Sequence, residues 1–308
     1  MQRVSLDIIV PVYNEEDCLP ELLQRIDEVR RHVMGWMDVY VIAVDDGSTD
    51  SSREVVRAAR EQHPWISGIN LTRNFGHQIA VSAGMDMSKS DYVAIIDADL
   101  QDPPELIPEM VQKLMHEQVE IVYGTRISRD GETRSKQVAA KIFYRILKGA
   151  SGLDIPLDTG DFRVMTKKAN SQIASLREHN RFLRGLAAWT GLNASPYWYS
   201  RDRRFAGKSK YTFGRMISLA FNGLVSFSPL PLRLMQLVGV LIFAVGISIP
   251  VMLFIVNIWM SVPLVEGILV ALSVVNIGVV LGAIGIVGGY VHRIQDEVRG
   301  RPLYLKES

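Results

Sequence analysis

Two acidic clusters in this 308-residue chain carry the residue types that handle hard cations and phosphates. Asp97-Ala98-Asp99 follows an apolar run, Tyr92 to Ile96, and leads into Leu100-Gln101-Asp102-Pro103-Pro104-Glu105. Carboxylates two apart on a strand share a face, and where the strand turns into a loop both can converge on one cation that also binds substrate phosphate oxygens. The plain alternative is a solvated turn. The buried strand before the triplet and the proline pair that starts a helix after it favour the cation. Asp45-Asp46-Gly47-Ser48-Thr49-Asp50 closes a second apolar run, Val39 to Val44. No Walker-A or G-x-G-x-x-G string occurs, so a metal bridge to a diphosphate accounts for phosphate binding better than a glycine-rich loop does.

The elements that must position these residues alternate in type. Leu6 to Val12 reads as a strand, and Asp17 to Arg31 repeats its apolar residues Leu19, Leu22, Leu23, Ile26 and Val29 at helical spacing. Strands at Val39 to Val44, Ile66 to Leu71 and Tyr92 to Ile96 alternate with helices at Ser51 to Gln62, capped by Ser48 or Asp50, and at His77 to Met87. Strand-helix alternation predicts an α/β fold with a mainly parallel sheet. Ligands of such sheets bind beyond the carboxyl ends of the strands, where both acidic clusters fall.

Composition limits the function classes. With 48% hydrophobic residues the chain is not disordered, and 34 basic against 33 acidic residues give a net charge of +1, which argues against a nucleic-acid partner. One cysteine, Cys18, excludes a disulfide framework and a cysteine zinc site and fits a reducing compartment. A mean hydropathy of +0.12 beside 22% charged residues requires an uneven distribution. Leu234 to Val265 and Gly267 to Val291 lack Asp, Glu, Lys and Arg, which predicts two membrane spans near 235–258 and 267–290 rather than a buried hairpin. Arg215 and Arg233 precede the pair, and Arg293, Arg299, Arg301 and Lys306 follow it; both termini are therefore expected in the cytoplasm. The apolar N-terminal run is broken by Pro11 and followed by Asn14, Glu15 and Glu16, so no cleavable signal is expected.

The near-zero charge is a cancellation. Residues 1–125 hold 10 basic and 22 acidic side chains, whereas residues 126–232 hold 19 and 7. The first imbalance suits a cation and the second suits phosphates or anionic headgroups, with ordinary solvated faces as the alternative. Arg134 to Lys148 spaces Val138, Ile142, Phe143, Ile146 and Leu147 on one helical face among basic residues, as an interfacial helix or one packed on the sheet would. Thr212 to Phe227 is a second interfacial candidate. Among six scattered histidines, His77 is the one beside a predicted site and is a candidate ligand contact.

Together, Ile8 to Glu15, Val44-Asp45-Asp46-Gly47-Ser48, Asp97 to Glu105 and Gly160-Asp161-Phe162-Arg163 resemble family 2 of the inverting glycosyltransferases, within it the polyprenyl-phosphate sugar transferases such as the bactoprenol glucosyl and dolichyl-phosphate mannosyl enzymes. The resemblance covers essentially the whole chain. It implies a GT-A catalytic domain, with Pro11, Tyr13 and Glu15 lining the nucleotide and Val44 and Asp46, or Asp45, closing the base pocket. Asp97 and Asp99 would hold Mg2+ or Mn2+ on the diphosphate, with Ala98 and Gln101 beside them. Arg126 matches a position near the phosphates, and Arg204 and Lys210 of Arg204-Phe205-Ala206-Gly207-Lys208-Ser209-Lys210 match phosphate contacts from donor or acceptor; Arg134 and Arg163 are further candidates. Asp99, Asp161 and Arg126 are the catalytic candidates. Asp161 is either a general base or a residue that positions Arg163 or the sugar, since a lipid phosphate with a second pKa of about 6 needs little deprotonation.

The expected domains are a cytoplasmic catalytic domain over 1–211, a juxtamembrane helix over 212–232, a two-helix membrane hairpin over 233–291 and a cytoplasmic tail over 292–308. The expected reaction moves one sugar from a nucleotide sugar, UDP-glucose first, to undecaprenyl or another polyprenyl phosphate at the cytoplasmic membrane for cell-surface glycan modification. The absence of Q-x-x-R-W fits one transfer per acceptor. UDP-N-acetylglucosamine, an amino-arabinose donor or GDP-mannose are the alternatives, and a non-catalytic membrane scaffold or nucleotide-sugar sensor is the reading from another class. The resemblance also implies a homo-oligomer, with a tetramer as the candidate form.

Overall fold

A computed structural model describes residues 3–127, 159–201, 230–259 and 265–307. Its backbone divides into two compact units, Met1–Ser218 with Pro302–Ser308, and Leu219–Arg301. The first unit is built on a seven-stranded sheet: β1 (Val4–Val12), β2 (Met37–Asp45), β3 (Ile66–Asn70), β4 (Tyr92–Ile95), β5 (Ile121–Arg126), β6 (Thr159–Thr166) and β7 (Ala194–Tyr199), in spatial order β3-β2-β1-β4-β6-β5-β7. All neighbours pair in parallel except β6, which runs antiparallel between β4 and β5. The architecture is the GT-A-like α/β fold expected, with a mostly parallel mixed sheet.

Helices α1 (Leu19–Val33), α2 (Ser52–Gln62), α3 (His77–Met87) and α4 (Ile107–Glu117, after a 3-10 turn at Pro104–Leu106) connect the strands through β5. Lys167–Ser175 forms α5 and Leu183–Trp189 forms α6. The apolar spacing read in α1 is its buried face: Leu19, Leu22, Leu23, Ile26, Val29 and Val33 are all buried. Each such side chain removed from water contributes about 1.5–3 kcal/mol before the entropic cost of ordering it. The strand β1 is buried from Leu6 through Val12, as a central strand covered on both faces must be. Glycine lets α3 approach closely, since a Cβ on Gly84 would lie 2.4 Å from Ile9 Cγ2 and 3.3 Å from Val44 Cγ2.

The elements read in the sequence recur with small shifts. Helix α3 spans the residues expected, and α1 begins two residues later than expected because Pro20 fits the first turn. The expected Ser48 cap of α2 is corrected: Ser48 Oγ accepts the Asn14 N–H, and Asp50 Oδ1 accepts the Ser52 N–H at 3.0 Å.

The second unit contains α7 (Leu230–Trp259) and α8 (Val265–Arg299). Among the described residues, one segment, Val275–Arg299, is long and apolar enough to cross a membrane, and Leu232–Ile242 is a shorter apolar piece. The segments 134–148 and 212–227, with Arg134, Arg204 and Lys210, lie outside the described residues.

Replacing Gly84 with alanine should lower stability by about 1–3 kcal/mol, because the added methyl overpacks Ile9. An unchanged urea midpoint for Gly84→Ala would contradict this close packing.

Candidate active site

The three loops after β1, β2 and β3 are sewn together at the carboxyl edge of the sheet. Asn14, in the left-handed region at φ 54°, donates its N–H to Ser48 Oγ at 3.0 Å and accepts the Thr49 N–H at 2.8 Å. The Glu15 N–H goes to Ser52 Oγ at 2.8 Å, and the Ser51 N–H to Glu16. Asp46 binds the next loop, its two carboxylate oxygens accepting the Phe75 and Gly76 N–H groups at 2.7 and 2.9 Å. Burial raises the Asp46 pKa despite these two donors, with Asp45 adding to the rise. Between them, Gly47 sits at φ +70°, where a Cβ would be 2.6 Å from the backbone of Arg73 and Asn74. Only glycine fits there, which explains the Asp-Asp-Gly-Ser sequence physically.

Asp45 is fully buried and holds Arg53 Nε and Nη2 at 3.2 and 3.1 Å on one oxygen and the Ser48 N–H at 3.2 Å on the other. Pro11 and Val44 are buried partners in the β1-β2 register, while Tyr13 stands at the rim, 37% exposed. The expected nucleotide residues Pro11, Tyr13, Glu15, Val44, Asp45 and Asp46 thus come from adjoining strand ends.

A second group forms where β4 and β6 meet. Because β6 runs antiparallel, its first residues lie at the same edge as the last residues of β4, bringing Asp161 to Asp97. His77 Nε2 lies 3.1 Å from Asp161 Oδ2 and 3.6 Å from Asp97 Oδ1. Gln78 Nε2 donates to Asp161 Oδ2 at 3.0 Å, and its side-chain Oε1 accepts the Leu183 N–H at 2.9 Å, anchoring α6. Arg184 Nε donates to Asp161 Oδ1 at 3.0 Å, and Arg163 contacts the same oxygen at 3.5 Å. Burial opposes the charge on Asp161, but Arg184, His77 and Arg163 outweigh it and hold the carboxyl well below its ordinary range.

Asp97 behaves in the opposite way. Burial, reinforced by Asp102, Asp161 and Asp99 against the pull of His77, pushes it up to about 6. Its Oδ1 is buried without a hydrogen-bond partner. Asp99 shapes the loop, Oδ1 accepting the Gln101 N–H at 3.2 Å across Leu100, which is left-handed at φ 59°. Ala98 is buried behind it. Among the described residues no group of three or more His, Cys, Asp or Glu is placed to hold a metal ion.

Beyond this group, Asp102 is fully buried, accepting from the Tyr199 hydroxyl and from Arg201 Nε at 3.2 Å. Arg201 also lies 3.9 Å from Asp99 Oδ2, between the two carboxylates. Arg126 ends β5 opposite Tyr199 of β7, packed over Gly160.

Of the residues expected at the site, His77 lies between Asp97 and Asp161, Asp99 follows two residues after Asp97, and Arg126 ends β5. Arg163, expected as a phosphate or acceptor contact or as a residue positioned by Asp161, is 4% exposed and faces Asp161, its i−2 neighbour on the same strand face. That period-two spacing was the available signal. Gln78, Arg184, Asp102 and Arg201 were not expected at the site; they enter through contacts between elements.

Residues 7–174 match the family described as Glycosyl transferase family 2. The chain is 39% identical over 308 residues, 100% of its length and 94% of the relative's, to the uncharacterized glycosyltransferase YkcC of Bacillus subtilis (strain 168). It is 33% identical over 311 residues, 98% of its length and 97% of the relative's, to the SfII prophage-derived bactoprenol glucosyl transferase of Shigella flexneri. Among solved structures, a mycobacterial protein superposes with a TM-score of 0.50 at 17% identity, covering 73% of this chain and 75% of that one, a likeness of fold alone.

Burial disfavours the His77 imidazolium, but the Asp161 hydrogen bond and the charges of Asp97 and Asp161 win and raise it to about 9. In metal-free protein its NMR titration is expected near pH 9, falling toward the ordinary 6.5 in Asp161→Asn. The folded value lies above the unfolded one, so this contribution to stability is full below pH 6.5 and disappears as pH rises through about 9. A His77 midpoint at or below 6.5 would refute the arrangement.

Proposed function

The chain belongs to glycosyl transferase family 2, and on that premise we propose that it transfers one sugar, with inversion, from a nucleotide sugar to a polyprenyl phosphate such as undecaprenyl phosphate. UDP-glucose is the leading donor, and the reaction takes place at the cytoplasmic face of a membrane, feeding cell-surface glycan modification. Near full-length likeness to a bactoprenol glucosyl transferase supports the acceptor class. The observation that carries the reading is Asp97: an oxygen buried without a hydrogen-bond partner, on a carboxyl group pushed up by burial and by Asp102, Asp161 and Asp99. Such a group seeks a cation.

Asp97 and Asp99 would hold Mg2+ or Mn2+ beside the donor diphosphate. When bound, the cation neutralises the charge developing on the departing nucleoside diphosphate. The remaining work belongs to the chain. Pro11, Tyr13, Glu15, Val44, Asp45 and Asp46 receive the nucleoside, with Ala98 and Gln101 backing the diphosphate and Arg126 near its oxygens. Asp161 already engages His77, Gln78, Arg163 and Arg184, so it acts as a positioning residue rather than a base. An ionised acceptor phosphate supplies its own nucleophile: one of its oxygens forms the bond to the anomeric carbon as the bond to the diphosphate breaks. Arg134, Arg204 and Lys210 are assigned to phosphates on the family resemblance.

The domain boundaries follow the sequence reading: a catalytic domain over 1–211, an interfacial helix over 212–232, spans within 233–291 and cytoplasmic termini. Two charge-free stretches inside α7 and α8 support two crossings. Assembly into a homo-oligomer, as a tetramer, is part of the same proposal.

Full-length protein incubated with labelled UDP-glucose, undecaprenyl phosphate and Mg2+ is expected to give a lipid-extractable product. Asp99→Ala should reduce its formation by at least about a hundredfold, the scale of losing charge stabilisation at the leaving group. Failure with UDP-glucose, UDP-N-acetylglucosamine, an amino-arabinose donor and GDP-mannose alike would overturn the proposal.

A further inference from the structure

The last residues, which follow the long apolar helices in sequence, belong to the first compact unit. They pair with the edge of the sheet. Lys306 forms an antiparallel bridge with Leu71, the Thr72 N–H donates to the Leu305 carbonyl at 3.0 Å, and the Glu307 N–H donates to the Asn70 carbonyl at 2.9 Å. Strand β3 is terminal in the sheet order, so the tail satisfies backbone groups that an edge strand otherwise leaves open. Tyr304 adds a hydrogen bond to Asp86 at 3.0 Å, on a carboxylate that Arg177 also holds at 2.7 Å.

What the tail touches connects directly to the paired aspartates. Glu307 takes Arg53 Nη1 on both carboxylate oxygens, at 3.1 and 3.2 Å. The same guanidinium uses Nε and Nη2 to clamp Asp45. Arg53 thus spends all three nitrogens on two carboxylates, one from the tail and one at the end of β2. A second connection runs through the backbone: Asn70 and Thr72 precede the turn whose Phe75 and Gly76 N–H groups bind Asp46. Leu71, bridged to Lys306, also donates its N–H to the Asp45 carbonyl at 2.8 Å.

We propose that Tyr304–Glu307 is a positioning element of the donor site, with Glu307 acting through Arg53 on Asp45 and the tail strand fixing the loop that Asp46 holds. The inference rests on the reading above that Asp45 and Asp46 face the nucleotide. Glu307 touches no substrate. A docked tail sets the aspartate pair for the nucleoside, and an undocked one leaves Arg53 to fold over Asp45 alone.

The test uses the full chain in detergent micelles with Mg2+, and compares it with Glu307→Gln, Glu307→Lys and a chain ending at Arg301. Affinity for UDP is measured by calorimetry, and KM and kcat by transfer of labelled UDP-glucose. Glu307→Gln is expected to weaken UDP about two- to fivefold, the scale of a half-exposed ion pair. KM for the donor should rise by the same factor while kcat stays within about twofold. Glu307→Lys, which repels Arg53, and the shortened chain, which also loses its strand hydrogen bonds, should weaken UDP roughly tenfold. Unchanged UDP affinity in both Glu307→Lys and the shortened chain would overturn the proposal, as would lower kcat at unchanged KM. If the unaltered protein binds UDP but forms no lipid-linked sugar, the assigned reaction fails while the UDP affinities still decide the role of the tail. A protein that binds neither UDP nor GDP overturns both.

Discussion

A carboxylate buried at the edge of an apolar sheet must be matched by donors, and the candidate site is organised around that requirement at Asp161. Burying a charge without partners costs several kcal/mol, and Asp161 meets the cost with Arg184, Arg163, His77 and Gln78. These partners come from three separate elements: Arg184 from α6, Arg163 from β6, and His77 and Gln78 from the first turn of α3. The antiparallel direction of β6 is what allows this, because it delivers a residue near the start of that strand to the edge where β4 ends. One compensated charge therefore fixes where two helices begin. Across His77, at 3.6 Å, Asp97 Oδ1 is left buried without a hydrogen-bond partner.

The other half of the edge relies on backbone N–H groups. Asp46 takes two from the loop before α3, Ser52 Oγ takes one from Glu15, and Asn14 exchanges hydrogen bonds with Ser48 and Thr49. Three loops that leave different strands therefore form one rigid rim, and Gly47 is the point where two of them touch backbone to backbone. The two halves meet at α3, whose preceding turn belongs to the Asp46 network and whose first residues belong to the Asp161 network.

Much of this was legible in the sequence where the signal is local. The strands β1 to β4, the limits of α3, and the position of Asp45 at the end of β2 and of Asp46, Asp97 and Asp99 just beyond strand ends follow from apolar runs ended by polar turns. Contacts between distant residues were not legible. Gln78 meets Asp161 across 83 positions, Tyr199 meets Asp102 across 97, and Arg53 meets Glu307 across 254. No periodicity encodes such pairs, since they depend on which strand is inserted antiparallel and on where the chain end returns. Arg163 lies between these cases: its alternation with Asp161 was visible, but its burial depended on β6 sitting inside the sheet rather than at its rim. At the start of α2 the Ser48 alternative failed for a related reason, because Ser48 was claimed by Asn14 of another loop, while Asp50 accepts the Ser52 N–H.

The tail on β3 also sets an order of completion. The first unit contains residues on both sides of α7 and α8 in the chain, and Glu307 is hydrogen-bonded to the same sheet that Val4 begins. Leu71 at the sheet edge pairs with Lys306 across the whole of α7 and α8 in sequence. A chain made from its N-terminus therefore completes every strand of the sheet before the residues that cover this edge, and Arg53 gains its second carboxylate only then.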